Sequence, residues 1–401
     1  MSSINLKAPR SGVPPRAMTV FGALALATIL AGSTAPTPLY RLYQEQWGFP
    51  HVTLTLIFAV YALSLLAALL TVGSLSDHVG RRPVIFASLV TSALAMWIFV
   101  HAGSPEALIA ARIVQGFSAG AAASTIGAAL MDADRARGPL INSVAPFSGM
   151  TVGALGASAL ASFAPAPTQL VFLILLGAFA VLSVAVWWMP ETGMRRPGAW
   201  ASLPPHILVP PHAKGPLLAI TPVNVAAWSF GGFYLSLVPS LVRATTGLTS
   251  PLVGGVVVAT LTLSAAGAVL LFRGWAPDRN LATGAWALIL GVATTLLGAQ
   301  LSLVPLMMAG AVFSGAGLGA SFFGASRTIM PLAGPRERAG LLAAFYVQCY
   351  LAFSLPAILA GLATPHLGLT ATAQIYGAAV ILLATVSLVA TRVLRPATAR
   401  G

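Results

Sequence analysis

The residues with chemistry to offer are few and gather at two places. At the first, Gly73-Ser74-Leu75-Ser76-Asp77-His78-Val79-Gly80-Arg81-Arg82-Pro83 puts a carboxylate and two adjacent guanidinium groups into a short polar stretch punctuated by glycines. Asp77 can accept hydrogen bonds from a helix N-terminus, whose dipole favours an anion. Arg81 can pair with Asp77, or with Asp132 or Asp134 further along the chain. Gly73 permits close approach of a helix to its neighbour, and Gly80 permits a tight reversal. At the second place, Ser104-Pro105-Glu106 opens an apolar run that continues through Arg112, Gln115, Gly116 and Gly120. Ser104 can cap that helix, Pro105 suits its first position and Glu106 complements its dipole, so Glu106 reads as structural. Arg112 then lies about 9 Å deeper than Glu106 at 1.5 Å per residue. A cation at that depth in hydrocarbon is costly unless it faces a wet cavity, which makes Arg112, with Gln115, a candidate to hold an anionic group as a fixed charge. The alternative is that Arg112 snorkels to the nearer surface.

Other polar side chains in apolar runs sketch a cavity lining. They are Thr34 and Thr37 beside Pro36 and Pro38, then Asn224 and Trp228, then Thr260 and Ser264, and finally the stripe Tyr346, Cys349, Tyr350 and Ser354 at helical spacing. Each of these could equally serve an interhelical hydrogen bond. Arg327, four residues before Pro331, reads as a snorkelling side chain. None of the eight acidic residues falls at mid-depth in an apolar run, so no buried carboxylate presents itself for proton loading. Metal-ligand spacings, a phosphate loop and paired acids within the apolar runs are absent from the sequence, which disfavours a membrane enzyme and implies no cofactor. The lone Cys349 excludes an intramolecular disulfide.

The elements that must position these residues follow from composition. Of 401 residues, 57% are hydrophobic and only 7% charged, with mean hydropathy +0.89, too few charges to cover a water-soluble surface. The apolar residues form runs long enough to span hydrocarbon. The expected spans one to six cover 18–40, 52–74, 83–101, 105–130, 139–163 and 168–189; spans seven to twelve cover 216–241, 251–272, 280–300, 303–330, 339–363 and 369–393. This predicts an all-α membrane protein with a six-helix bundle over 1–189, a polar linker over 190–215 and a second bundle over 216–401.

Orientation follows from the 21 Lys and Arg residues. The tail with Lys7, Arg10 and Arg16 holds three. The stretches joining spans at the same face hold Arg81 and Arg82, Arg135 and Arg137, Arg195, Arg196 and Lys214, Arg273 and Arg279, and Arg327, Arg336 and Arg338; the C-terminal tail holds Arg392, Arg395 and Arg400. The opposite face holds Arg41 and Arg243, and Arg112 lies within a span. That asymmetry places both termini and the linker in the cytosol, with the protein multi-pass in the cell inner membrane. The net charge of +13 is dispersed in ones to threes, so nucleic acid is not an expected partner.

Residues about 200 apart repeat: Gly73 and Asp77 as Gly274 and Asp278, Gly116 and Gly120 as Gly315 and Gly319, Pro38 as Pro239, and Gly48 as Gly247. The stretch from Gly73 to Arg82 resembles the loop signature of the major facilitator superfamily, G-x-L-x-D-x-x-G-R-R, and Arg112-x-x-Gln115-Gly116 resembles that family's fourth-helix signature. The resemblance implies two pseudo-symmetric six-helix bundles that rock about a midplane site. It also implies that Gly73, Asp77, Gly80, Arg81 and Arg82, with Asp132 and Asp134, latch the halves together, the start of span eleven being the partner. Span five departs from the pattern of proton-coupled drug antiporters: Ala154 stands where proline is expected, and Ala157 and Ser158 where glycines would be. Gly149, Gly153 and Gly156 there read as packing residues. The expected function is secondary transport of a small organic solute, export first and uptake by symport or uniport as the alternative. The partners are that solute and the lipid bilayer, with protons as the candidate coupling ion, and the protein is expected to be a monomer.

Overall fold

The structure is a computed structural model that describes residues 15–193, 196–205, 207–248, 250–332, 334 and 337–393. Lys7, Arg10, Arg195, Arg336, Arg395 and Arg400, together with the side chains of Arg338 and Arg392, lie outside the described residues. The first half comprises α1 (Pro15–Thr34), α2 (Tyr40–Trp47), α3 (His51–Thr71), α4 (Ser76–Val79), α5 (Arg81–Val100), α6 (Pro105–Ala133), α7 (Gly138–Phe163) and α8 (Leu170–Ala185). The second comprises α9 (Pro211–Ser236), α10 (Val238–Thr246), α11 (Pro251–Phe272), α12 (Pro277–Gln300), α13 (Val304–Ile329), α14 (Arg338–Leu367) and α15 (Leu369–Val393). Among the described residues, 12 stretches are long and apolar enough to cross a membrane. Leu24, Trp97, Val152, Val181, Leu271 and Leu382 are among the large apolar side chains on the outside, where hydrocarbon is the solvent that suits them.

Two spans run further than the sequence suggests. Span one continues past Pro36 and Pro38 as a 3-10 turn and then α2, ending at Gly48, a left-handed cap with φ 67°. Span seven breaks at Leu237, two residues before Pro239, and resumes as α10, ending at Gly247 with φ 73°. In both, proline removes an amide donor and interrupts the α-helix without turning the chain back. Ser104 caps its helix as expected, and Ser250 caps another in the same way. Ser104 accepts from the Ala107 amide at 3.4 Å and Ser250 from the Leu252 amide at 3.3 Å, each followed by proline in the first turn.

The internal repeat is visible as packing. A methyl group at Gly116 or Gly120 would overlap the carbonyl oxygens of Tyr61 or Leu65, so these glycines let α6 lie directly on α3. Gly315 and Gly319 do the same for α13 on α11, against the carbonyls of Leu261 and Ala265. The two halves meet along two seams, α3 against α14 and α7 against α11. Gly361 of α14 accommodates Thr55 of α3, and Gly255 of α11 accommodates Ser158 of α7.

Candidate functional site

Arg112 is 1% exposed, so it does not snorkel. Its Nη1 donates to the Ser33 carbonyl at 2.8 Å and to Gln115 Oε1 at 2.7 Å, and its Nε donates to the Ile57 carbonyl at 3.4 Å. The guanidinium carbon lies 4.4 Å from the centre of the Tyr61 ring and 5.9 Å from that of Tyr40. Gln115 is fixed in turn, its Nε2 donating to the Gly32 carbonyl at 2.8 Å. None of the ion pairs among the described residues includes Arg112. A buried cation held only by neutral dipoles and ring faces carries an unmet Coulombic demand of several kcal/mol. The Tyr40 and Tyr61 hydroxyls beside it are buried without partners.

On the other side of the seam the aromatic side chains form a cage. The Trp228 ring packs edge-on against Tyr350 at 5.2 Å, Phe322 at 5.7 Å and Phe353 at 5.9 Å. Tyr346 lies 6.3 Å from Tyr350. The first half contributes Phe58, 4.9 Å from Phe353, and Phe147, 6.3 Å from Phe322. The Trp228 indole N–H and the Ser354 hydroxyl have no partner. Asn224 donates to Gln348 Oε1 at 2.8 Å and to Cys349 Sγ at 3.2 Å, while its own Oδ1 is unpartnered. Gln348 donates to Thr221 at 2.6 Å.

Of the residues singled out from sequence, Trp228, Tyr346, Tyr350 and Asn224 thus share one region, and Arg112 with Gln115 lies across from it. Thr34 is a tether, donating to the Met150 carbonyl of α7 at 2.9 Å. Thr37 is buried with its hydroxyl unpartnered, on a cleft toward the end of the molecule that holds Arg41 and Arg243. Thr260 bonds its own helix at the Val256 carbonyl, whereas Thr262, two residues on and on the opposite face, shares a 2.8 Å hydrogen bond with Thr151 across the seam. Tyr61, Phe58, Phe147, Phe322, Phe353 and Gln348 escaped the sequence reading. Its usable signal was aromatic spacing, Phe58 with Tyr61 and Tyr350 with Phe353, three residues apart on one helical face.

The loop cluster is rearranged relative to expectation. Arg81 Nη1 pairs with Asp77 at 2.5 Å, and its Nε with Asp132 at 3.3 Å. Asp77 does not cap α5; Glu191 does, accepting the Arg81 amide at 2.8 Å, the Arg82 amide at 3.1 Å and the Gly193 amide at 2.9 Å. Gly80 turns at φ 99°, and a methyl group there would sit 2.8 Å from Glu191 Oε2. Arg82 donates to the Trp187 carbonyl and lies over the Trp187 ring. Asp134 turns away from the cluster, accepting the Ala136 and Arg137 amides at the entrance to α7. Gly73 makes room for its own helix, at the Leu69 carbonyl, and not for a neighbour. Arg327 is more than a snorkelling residue: its Nη1 donates to the carbonyls of Arg273 and Trp275.

Comparison with known proteins places this geometry in context. The model of the Major Facilitator Superfamily matches residues 20–305. A multidrug resistance protein, MdtL of Shewanella sp. (strain ANA-3), is 32% identical over 102 residues, 25% of this chain and 26% of that one. The chain therefore aligns with about a quarter of the length of that curated relative. Among solved structures, the nucleoside transporter NupG superposes with a TM-score of 0.70 at 12% identity, covering 93% of this chain and 99% of the other. A bacterial homolog of the human lysosomal transporter Spinster, inward-facing and unoccupied, gives 0.71 at 13% identity, covering 94% and 97%. The human organic anion transporter MFSD10 gives 0.68 at 19%, covering 94% and 100%. Motifs, duplicated six-helix halves and the family match over most of its length together show that the chain belongs to the major facilitator superfamily of membrane transporters.

Proposed function

We propose that this transporter exports a small amphipathic organic solute, anionic at one end, by rocking its two halves, 1–189 and 216–401, about the linker 190–215. The observation that carries this reading is Arg112, a buried cation with no carboxylate partner, set across from the aromatic cage around Trp228 and Tyr350. An acidic group would meet the charge, while the apolar part of the solute would stack among the rings. In this reading both termini face the cytosol of a cell bounded by its inner membrane, and the loop cluster of Asp77, Arg81, Asp132 and Glu191 latches that face in another conformation.

No acid accompanies Arg112, so coupling to protons would run through the solute's own ionisation or through a peripheral carboxylate. Transport in everted vesicles across a panel of organic acids, bases and neutral compounds, with a pH probe in the lumen, tests this. Uptake of acids into such vesicles, abolished in Arg112→Ala and partly kept in Arg112→Lys, is expected. Transport of bases with undiminished rate in Arg112→Ala would overturn the assignment of Arg112.

A further inference from the structure

At the end of the molecule away from the loop cluster there is a charge arrangement that the central site does not use. α2 and α10, the extensions of spans one and seven, face each other there across the seam between the halves. Glu45 Oε1 accepts from Arg41 Nη2 of its own helix at 2.5 Å and from Arg243 Nη1 of the other half at 3.1 Å. Two guanidinium groups thus share one carboxylate oxygen, which leaves one positive charge in excess and donors to spare. Among those donors, Arg41 Nε is buried without a partner.

Beside them opens a cavity of about 430 Å³, bounded by polar Gln44 and Ser240 and by apolar Phe49, Ala244 and Leu369. That volume lies in the range of small-molecule sites. A narrower cleft runs from Arg41 and Arg243 inward past Ser236 to Thr37 and Tyr40, and the Tyr40 ring is the farther of the two rings beside Arg112.

We propose that this mouth is an anion site in which Arg41 and Arg243 take the carboxylate of a small organic acid, displacing Glu45 while the acid itself keeps the two halves bridged at that end. That the acid is also the transported solute rests on the alternating-access reading above. Glu45 itself demonstrates that a carboxylate oxygen fits between both guanidinium groups. A solute carboxylate, free of a helix backbone, can turn to meet a guanidinium with both oxygens, the stronger geometry. The pair it replaces is weak, because Glu45 is half exposed and exposed ion pairs contribute little. Phe49 and Leu369 supply the wall for the acid's apolar part.

The test uses the full-length protein in nanodiscs, radiolabelled benzoate as the probe, and unlabelled benzamide or sulfate as competitors. Spin labels at Gln46→Cys and Leu248→Cys report the gap between the extension helices, since both positions are exposed and the lone Cys349 is buried. Benzoate is expected to bind about tenfold more weakly in Arg243→Gln and in Arg41→Gln, as loss of a charge-assisted bond dictates. It is expected to leave the label distance in the parent protein short, because the acid bridges the same two guanidinium groups that Glu45 bridges. In Glu45→Gln the distance lengthens without benzoate and shortens again when benzoate binds, and the double reversal Glu45→Arg with Arg243→Glu restores the short distance, showing that the change comes from the ion pair and not from misfolding. Equal affinity in Arg243→Gln and the parent, equal displacement by benzamide or by sulfate, or a Glu45→Gln distance that benzoate leaves unchanged would each overturn the proposal. Binding lost in Arg112→Gln but kept in Arg243→Gln would overturn it while leaving the central site standing; the reverse pattern supports it and counts against the central site.

Discussion

The loops after α3 and after α11 occupy equivalent places in the two halves, yet opposite charges hold them. In the first, the orphan amides at the start of α5 are met by a carboxylate, Glu191, that arrives from 110 residues away. In the second, carbonyls at the end of α11 are met by a guanidinium: Arg327 Nη1 donates to Arg273 O at 3.1 Å and to Trp275 O at 2.6 Å. Arg279 lies 3.9 Å over the Trp275 ring and closes the same turn. A helix junction exposes carbonyls on one side and amides on the other, and either set can be satisfied by a distant side chain. Duplication kept the glycine and the aspartate of each loop, and each half then satisfied a different set. The consequence lies in what each loop is tied to. Arg327 belongs to the same half as its loop, whereas Glu191 opens the linker, which also donates the Arg196 amide to the His78 carbonyl at 3.0 Å and accepts from Ser74 at Ser202. Among the described residues, linker movement therefore reaches the first loop and not the second.

The largest expected effect of breaking this contrast is at Glu191. Glu191→Ala leaves three amides without their charged acceptor at a half-buried site and is expected to cost about 2–3 kcal/mol. A lowered thermal unfolding midpoint in detergent, together with faster proteolysis of the linker, checks it. Next, Arg327→Met frees two carbonyls but keeps the contact with Phe323, for a loss of about 1–2 kcal/mol and no change in linker proteolysis. If Arg327→Met exposed the linker as much as Glu191→Ala does, the two loops would not be independently anchored.

Much of the architecture was legible because hydrocarbon demands runs of about 20 apolar residues whatever else a sequence encodes. The ends of spans one and seven were not, since proline at 38 and 239 interrupts a helix without saying whether the chain turns or continues. Arg112's depth could be read from spacing, but its partners could not, because the carbonyls of Ser33 and Ile57 carry no side-chain signature. Glu191 was hidden for a different reason. A carboxylate in a Pro-rich linker looks like solvation until folding brings it to α5, and Asp77, close in sequence to that helix, looked the better cap.

A smaller effect separates the two glycines that the repeat equates. A methyl group at Gly73 would meet the Leu69 carbonyl, whereas one at Gly274 would meet nothing within 4 Å. Gly73→Ala is expected to destabilise by about 1 kcal/mol through local overpacking, and Gly274→Ala to leave the unfolding midpoint unchanged. Equal shifts in both would mean that the second loop is packed as tightly as the first.

The smallest effect on stability, and the most informative one, belongs to Asp77. Its side chain is 54% exposed, and Arg81 keeps Asp132 and the Ser76 hydroxyl when Asp77 is neutralised. Asp77→Asn should therefore cost less than about 1 kcal/mol in the arrangement seen here, where Glu45 and Arg243 join the halves at the other end. If the loop cluster latches the halves in the alternative state, the same substitution must weaken that state alone. The ratio of the two populations then moves by the full value of the lost contact, because only differential interaction shifts an equilibrium. Spin labels at Gln46→Cys and Leu248→Cys would then lose their long-distance population in Asp77→Asn while the unfolding midpoint holds steady. A midpoint that falls with the distance distribution unmoved would reduce Asp77 to a local partner of Arg81.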